Sequence, residues 1–435
     1  MDPILHNVCP THMKSYLVGS IVLALVTGCG SAVEGGSEDD MSTTGPVAAP
    51  GEKEGEPASA APPPEGEGLT PLPDESPVGA TPPDESASKA GDPAPEIEGD
   101  TADTTALLET CFKWNGQNEI NKAIANHDCV AVAPGSYPLT KPIRLLAGHT
   151  LIGESNNRSA AVFYAAPGFT GSQILTDDLS NGVVATVRRL SFDVKMRASG
   201  VGARKLTARN IEVHNARCWG VGIAGYGFRL ENSNIHHNGA DPTCNAAPGG
   251  GIYITRSGDV PDAFAPVISG NSIHDNTGPG LDIAGVWGGK LFGNDIRNNS
   301  HWAAVSLFGA NWEIYDNRIY HPTRNKVGIP DGQPYWSECR GGPNGVHPAA
   351  IMLCLRTDAG GSRASGNYIH DNSMASYYGV QLIGADESKP YIAPRNNRVL
   401  NNNLTGSVNA CVDDFRPGQW QSDKNTWSGC TPQYF

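Results

Sequence analysis

Apolar and polar positions alternate in short runs through residues 206–400, in a unit that keeps a fixed internal pattern. The unit reads apolar, any residue, Gly or Asp, Asn, any residue, Ile, then two polar residues and often Asn. It is clearest in the segments that start at Ile268, Leu291, Ile314 and Ala364. Each unit runs on into an alternating strand such as Leu281–Ile283. This period of two, with Gly and Asn at the bends, predicts strands and excludes helices.

The spacing of the units predicts how the strands are arranged. Ile273, Ile296 and Ile319 recur at equal intervals, and longer intervals elsewhere predict loops. A short constant unit that carries three strands is one coil of a solenoid. In stacked coils the Ile side chains form a continuous core, and Asn at a bend hydrogen-bonds to the Asn of the next coil. Two Asn ladders are expected: Asn271, Asn294, Asn317, Asn367 and Asn397, and Asn238, Asn276, Asn299, Asn372 and Asn402.

The start of the repeat region carries the signs of a capped end. Residues 117–126 read as a helix that covers the open end of the solenoid, and Val130–Tyr137 and Gly148–Glu154 follow as candidate first coils. Together with the repeats, these segments resemble the right-handed parallel β-helix proteins of the pectate-lyase-like group. The resemblance implies an all-β fold: a single-stranded, right-handed parallel β-helix of three-strand coils over residues 106–435, with an N-terminal capping helix.

The N-terminal residues predict export. An apolar run, Tyr16–Val26, follows Lys14 and is too short for a permanent membrane span, as in a secretory signal over residues 1–28. Met13 would start a normal signal by itself. The four residues that end at Cys29 resemble the lipobox of bacterial lipoproteins. That resemblance implies cleavage before Cys29, acylation of its thiol, and an exported protein anchored by lipid to a bacterial membrane, at the cell surface or the periplasmic side.

Residues 29–105 have the composition of a linker. They are rich in Pro, Gly, Ala, Ser, Glu and Asp and have almost no large apolar side chain, so we expect them to be disordered. Their acidic residues outnumber the two lysines and account for the formal net charge of −14 of the whole chain. The folded part is therefore slightly basic, and mutual repulsion extends the linker.

Eight cysteines remain when Cys9 and Cys29 are set aside, and an even number in an exported chain predicts disulfides. Sequence alone allows every pairing. In a fold of short stacked coils, near neighbours meet, so local pairs are expected. The four pairs are Cys111–Cys129, Cys218–Cys244, Cys339–Cys354 and Cys411–Cys430.

The resemblance implies activity on uronate-containing polysaccharides, but it supplies no catalytic residue. Arg416–Pro417 lacks the second arginine of the pectate-lyase motif, and no acidic cluster for Ca²⁺ is evident. No cofactor is therefore predicted, and Ca²⁺ is implied only by the resemblance. No groove-reading motif for nucleic acid occurs. A monomer that binds an acidic polysaccharide or other glycan, and contacts a membrane through its lipid anchor, is expected.

Loop lengths predict a cleft. Long loops follow Ile235 and Ile319, and two short coils lie between them. Outward residues of those coils would form the floor, with His274, Arg297 and Asp282 as catalytic candidates. Substrate-binding candidates on the floor and sides are Tyr253, Asp275, His301, Trp302, Ser306, Tyr320 and Trp336. His370, which repeats the His-Asp-Asn sequence of His274, would lie at the same repeat position outside the cleft walls.

Three functions remain open for this cleft. Elimination from a uronate needs a cation for the carboxylate and a base for the adjacent proton, roles that Arg297 and His274 can fill. A lyase is therefore the leading hypothesis. A non-catalytic glycan-binding or cell-envelope protein is the first alternative. A hydrolase is the second, and Asp275 and Asp282 are the two floor carboxylates available to it.

Overall fold

The computed structural model describes residues 101–435 apart from 178–182, 225–226, 242–243, 245–248, 256–264, 301–302, 322–348, 355–363, 377, 384–395, 405–406, 408–409, 416–425, 428–432 and 435. All described residues belong to one unit, Pro93–Phe435. Among them, no helix has the length and apolar character needed to cross a membrane. The predicted signal, Cys29 and most of the predicted linker lie outside the described residues.

Two helices precede or cap the solenoid. Helix α1 spans Thr101–Thr110 and includes the last residues of the predicted linker. Leu107 and Leu108 at its C-terminal end pack against a small cluster around Cys111. Helix α2, Ile120–Asn126, confirms the predicted cap but starts three residues later than predicted.

The shorter α2 has a local cause. Gly116 adopts a φ of 91°, and the side chain of Asn115 accepts a hydrogen bond from the backbone N–H of Gln117, which makes a turn before the helix. The helix then buries Ile120, Ala123 and Ile124 against the core of the first coils. The open end of the core is thereby covered.

The strands form three faces of a parallel β-helix, and each strand pairs with strands one coil before and one coil after it. Face 1 consists of β1 Phe112–Trp114, β2 Cys129–Val132, β5 Thr150–Gly153, β8 Ala185–Arg188, β11 Leu206–Arg209, β14 Arg229–Glu231, β17 Val267–Ser269, the last residues of β19 Leu281–Phe292 and of β21 Ala303–Tyr315, β24 Tyr368–His370, β27 Arg398–Leu400 and β29 Thr426–Trp427.

The other two faces follow in chain order. Face 2 consists of β3 Gly135–Leu139, β6 Ala161–Ala165, β9 Ser191–Asp193, β12 Glu212–His214, β15 Asn234–His236, β18 Ser272–His274, β20 Asp295–Arg297, β22 Arg318–Tyr320 and β25 Ser373–Ala375. Face 3 consists of β4 Ile143–Leu145, β7 Gln173–Asp177, β10 Ser199–Ala203, β13 Val221–Ala224, β16 Ile252–Thr255, the first residues of β19 and β21, β23 Ala349–Cys354, β26 Tyr378–Ile383, β28 Ala410–Phe415 and β30 Gln433–Tyr434.

The core follows from the register between coils. Ile235, Ile273, Ile296 and Ile319 are direct partners along face 2 and are at most 1% exposed. Equivalent apolar columns line the inside of faces 1 and 3. Each fully buried Ile or Leu contributes roughly 1.5–3 kcal/mol through loss of apolar surface from water. The predicted stacking of the coils is therefore confirmed.

Asn ladders occupy the corners, but their membership differs from the prediction in the last coils. The corner between faces 1 and 2 joins side chains in the order Asn271, Asn294, Asn317, Asn372 and Asn402. The corner between faces 2 and 3 joins Asn238, Asn276 and Asn299. Asn367 and Asn397 pair at the third corner.

The shift in the ladders has a sequence cause. Two Asn residues five positions apart fit any two successive corners, so the pattern beginning at Ala364 reads equally well one strand out of phase. As a result Ile369 aligns with Ile314 on face 1, instead of with Ile319 on face 2. His370 therefore lies on a different face from His274, and the prediction that they share a repeat position is wrong.

Two of the four predicted disulfides are present: Cys111 is bonded to Cys129, and Cys218 to Cys244. Cys339 and Cys430 lie outside the described residues. The pairings Cys339–Cys354 and Cys411–Cys430 therefore stay predictions.

Candidate functional site

A column of polar rings and cations runs along the outside of face 2. His214, His236 and His274 are direct partners in successive strands. Their rings stack with centroids 5.1 Å apart in each pair and are nearly parallel. Arg297 and Tyr320 continue the register. These five residues, here called the histidine column, follow one another because outward positions of neighbouring coils repeat every strand spacing of about 4.8 Å.

Glu212 lies beside the histidine column, whereas the repeat pattern predicts it within the column. The pattern aligns Ile211 with Ile235 as inward residues. In the structure Val213 is the partner of Ile235, so Glu212 pairs with Asn234 and lies next to the column. In the structure, a residue with positive φ follows each of these column histidines, Asn215 after His214 and His237 after His236.

The Glu212 carboxylate accepts hydrogen bonds from several side chains. Burial alone would raise its pKa, but hydrogen bonds from His236 Nε2 at 3.2 Å, Ser191 Oγ at 2.9 Å and Ser159 Oγ at 3.0 Å lower the pKa of Glu212 to about 2. Glu212 is therefore ionised at any physiological pH and accepts hydrogen bonds only.

His274 is held on both sides of its ring. Nδ1 lies 2.6 Å from Asp275 Oδ2, and Nε2 lies 2.9 Å from Asn234 Oδ1. Burial lowers the pKa of His274, the Asp275 hydrogen bond opposes that effect, and Arg297 lowers it further. A ligand can reach a ring nitrogen of His274 only if one of these two contacts is broken.

Arg297 is the more accessible member of the predicted pair. Its side chain is 30% exposed, and its Nε donates to Asp295 Oδ2 at 3.0 Å. In the part of the chain that the structure describes, no second carboxylate contacts its guanidinium. The next residue in the register is the half-buried Tyr320.

The second set of predicted residues lies on face 3. Tyr253, Asp282 and Ser306 are direct partners in successive strands, as predicted. Their burial differs from the prediction, because Asp282 is 2% and Ser306 is 0% exposed. They do not form an open floor. Alternation along a strand shows which side chains point away from the core, but it does not show whether other chain segments cover them.

Tyr253, at the start of this set, is half-buried and stacks on Trp219 with ring centroids 5.1 Å apart. Asp275 lies at the corner between faces 2 and 3 with a φ of 53°. The predicted residues therefore fall into two columns on adjacent faces, and Asp275 lies at the edge between them. The single shared floor that the sequence predicts is not observed.

Other parts of the predicted cleft lie outside the described residues. These are His301, Trp302 and Trp336, together with most of the long loop after Ile319. The loop after Ile235 is described in part, and the Cys218–Cys244 disulfide ties it to the coil before it. The cleft walls stay a prediction.

Within the described ranges, no group of three His, Cys, Asp or Glu side chains is arranged to hold a metal ion. The Ca²⁺ implied by the family resemblance thus has no ligand set among them.

Comparison with known proteins supports the fold. Residues 217–415 match the family model described as "Right handed beta helix region", in agreement with the handedness that the family resemblance implies. A comparison with curated protein sequences finds no match.

The solved structures that match this chain include a virus protein, a surface adhesin and an alginate lyase. ORF18 of Geobacillus virus E2 is 12% identical, with a TM-score of 0.48, and the match covers 76% of this chain and 61% of that one. PfbA, a surface adhesin of Streptococcus pneumoniae, is 10% identical, with a TM-score of 0.46 and coverage of 75% and 91%. An alginate lyase from Paenibacillus sp. str. FPU-7 is 15% identical, with a TM-score of 0.38 and coverage of 74% and 96%.

This chain thus spans about three fifths of the virus protein. Identities this low transfer no activity, because one fold hosts many functions.

Proposed function

We propose that this right-handed parallel β-helix binds an acidic polysaccharide along the histidine column and cleaves it by β-elimination. The observation that carries the proposal is the adjacency of His274, Arg297 and Tyr320 in consecutive strands of one outer face. An imidazole, a guanidinium and a phenol at successive steps of about 4.8 Å suit successive groups of a sugar chain that runs along the solenoid.

Arg297 is the proposed carboxylate-binding residue. Asp295 engages only its Nε, so the two terminal nitrogens remain for a bidentate contact with a sugar carboxylate. Elimination needs this contact, because neutralising the carboxylate makes the neighbouring C–H more acidic. The same contact gives affinity in a protein that binds without turnover.

An imidazole of the histidine column can be the proton acceptor if a ligand can approach one of its nitrogens. The lowered pKa of His274 favours the neutral, basic form at neutral pH. Its two nitrogens are nevertheless engaged by Asp275 and Asn234. His274 acts as the base only if the Asn234 contact opens on ligand binding. Otherwise it supports its neighbours in the column.

The cellular setting of this proposal comes from the sequence. Export by the signal over residues 1–28, acylation of Cys29 and an extended linker would hold the β-helix away from a membrane as a tethered monomer. A tether suits a protein that acts on polysaccharide outside the cell.

The proposal is tested by Arg297→Ala, with Arg398→Ala as the matched control on face 1. Arg398 lies over the ring of Tyr368, 4.2 Å from its centroid, and is far from the histidine column in the register. Both variants should fold, because both side chains lie at the surface. With polygalacturonate, alginate and hyaluronan as substrates, Arg297→Ala should lose turnover and retention by at least tenfold, and Arg398→Ala should lose neither.

The product identifies the reaction. Ultraviolet absorbance from an unsaturated sugar end supports elimination, whereas new reducing ends without that absorbance contradict it and favour hydrolysis. Retention without either product favours the non-catalytic alternative. Equal behaviour of the Arg297 and Arg398 variants would contradict the assignment of the site.

A further inference from the structure

Three polar groups form a continuous hydrogen-bonded line along the outer side of face 2, ending at the solvent. Glu212 Oε1 lies 3.2 Å from His236 Nε2, and His236 Nδ1 lies 2.7 Å from His237 Nδ1. The Glu212 side chain is 17% and the His236 side chain 15% exposed, whereas His237 is exposed. The line therefore connects a largely buried carboxylate to an imidazole at the surface.

The direction of the hydrogens in this line follows from the chemistry of its ends. The ionised Glu212 can only accept, so His236 Nε2 carries the hydrogen. In a neutral His236, Nδ1 is then a lone pair and can only accept. His237 must donate through Nδ1–H, which leaves Nε2 of a neutral His237 as an unprotonated nitrogen.

His236 cannot rotate away from this arrangement without losing its neighbours. Its ring is stacked between those of His214 and His274, at 5.1 Å on each side. The ring of His237 stands almost perpendicular to it, at 85°. The stack therefore fixes the orientation that the Glu212 hydrogen bond requires.

His237 also differs from its equivalents in the other coils. It occupies the corner between faces 2 and 3 with a φ of 54°, a left-handed conformation. The same corner carries Asn215, Asp275 and Asn298, side chains that tolerate this conformation more readily. Within the described part of the chain, His237 Nε2 has no hydrogen-bond partner. The bend itself does not need an imidazole.

We infer that Glu212 and His236 are positioning residues that present His237 Nε2 as the proton acceptor of this face. The inference rests on the proposed function for its substrate class, a sugar chain with a carboxylate beside an acidic C–H. His236 and Arg297 lie two strand steps apart on face 2, on the order of 10 Å. Because the carboxylate of a uronate is bonded to C5 itself, the proposal requires the long Arg297 side chain to extend along the face toward His237, so that the C5–H faces His237 and the carboxylate faces Arg297.

The elimination balances with these groups. His237 Nε2 takes the C5 proton, and the electrons of that C–H bond form the C4–C5 double bond. The C4–O bond breaks, and the leaving oxygen takes its electron pair and a proton from water. The resulting hydroxide accepts the proton from the His237 imidazolium, which restores the neutral residue. Glu212 keeps its charge throughout and stabilises the transient cation through His236.

The tautomers can be measured without any substrate. Nitrogen chemical shifts of ¹⁵N-histidine-labelled protein distinguish protonated from unprotonated ring nitrogens, and His236→Gln and His237→Gln variants assign the two signals. Under alkaline conditions that leave imidazole neutral, His236 should carry its hydrogen on Nε2 and His237 on Nδ1. The opposite tautomer at either residue would overturn the relay.

The base role is tested by kinetics on the same polysaccharides. His237→Gln should lower kcat by about 10²–10⁴-fold and leave KM nearly unchanged, because a proton acceptor acts in the transition state. His370→Gln, on face 1, is the control and should change neither. Equal kcat for wild type and His237→Gln would overturn the base role. If wild type cleaves no polysaccharide, the proposed function fails and the base role with it, whereas the tautomer result still decides whether the relay exists.

Discussion

The same tripeptide, His-Asp-Asn, occurs on two faces of this solenoid at residues 274–276 and 370–372. In both places the histidine Nδ1 contacts the next aspartate, at 2.6 Å for His274 and 2.8 Å for His370. Both aspartates adopt left-handed backbone angles, with φ of 53° and 54°. Both asparagines turn inward and join a ladder. The tripeptide therefore determines its own conformation wherever it lies.

Its surroundings are different on the two faces. On face 2, His274 stacks on His236 and lies next to Arg297 in the register. On face 1, His370 stacks on Tyr315, with ring centroids 5.1 Å apart, and approaches Glu313. Only the first position belongs to a column of histidines that a buried carboxylate orients. The neighbouring coils, and not the tripeptide, decide whether the histidine belongs to a candidate site.

The largest expected effect is the loss of a ladder asparagine. Asn276→Ala and Asn372→Ala should each lower the free energy of unfolding by about 3 kcal/mol or more, because buried donors and acceptors lose their partners. Because the ladder role is the same on both faces, the two losses should be equal within error in thermal or denaturant unfolding.

The matched controls are Thr277→Ala and Ser373→Ala, at the exposed residues that follow each asparagine. Changes of less than about 0.5 kcal/mol are expected for both. A large loss at one asparagine and a small one at the other would show that the two corners are not equivalent.

The next largest effect is a difference between faces 2 and 1 in how the free energy of unfolding depends on pH. The pKa of Glu212 is about 2 in the folded protein against an ordinary 4.5. A lowered pKa contributes stability above pH 4.5 that is lost as pH falls toward about 2, here about 3 kcal/mol. Unfolding measured across this range should show a flatter pH dependence for Glu212→Gln than for wild type.

Glu313→Gln is the matched change on face 1. A hydrogen bond from Lys290 lowers the pKa of Glu313, but the Glu313 side chain is 36% exposed and solvent screens its interactions. Its substitution should leave the acid sensitivity nearly unchanged. The reverse result, with Glu313 dominating, would mean that the Glu212 cluster is not retained in solution.

The smallest effect on stability is expected for the two histidines themselves. His274→Gln and His370→Gln should each change the free energy of unfolding by about 1 kcal/mol or less, because both side chains lie on the outer surface. They should differ in retention on an acidic polysaccharide, which only His274→Gln should weaken. Equal retention by both variants would remove the functional distinction between the faces.

Much of the fold follows from the sequence, because period-two alternation and regular Ile spacing leave little choice but stacked strands. The capping helix, the disulfides Cys111–Cys129 and Cys218–Cys244, and the inward Ile column are all accessible in this way. The direct adjacency of His274 with Arg297, and of Tyr253 with Asp282, also follows from the repeat. These features depend on residues within a coil or one coil apart.

Only the tertiary structure decided which corner each Asn occupies, and hence that His370 lies on face 1 and Glu212 beside the histidine column. Similar bends accept the same residues at every corner, so local sequence cannot fix the phase when a loop of unknown length intervenes. The sequence likewise did not predict the burial of Asp282 and Ser306. It also did not predict the contact between Glu212 and His236. Both depend on which chain segments meet across coils, and no local pattern records that.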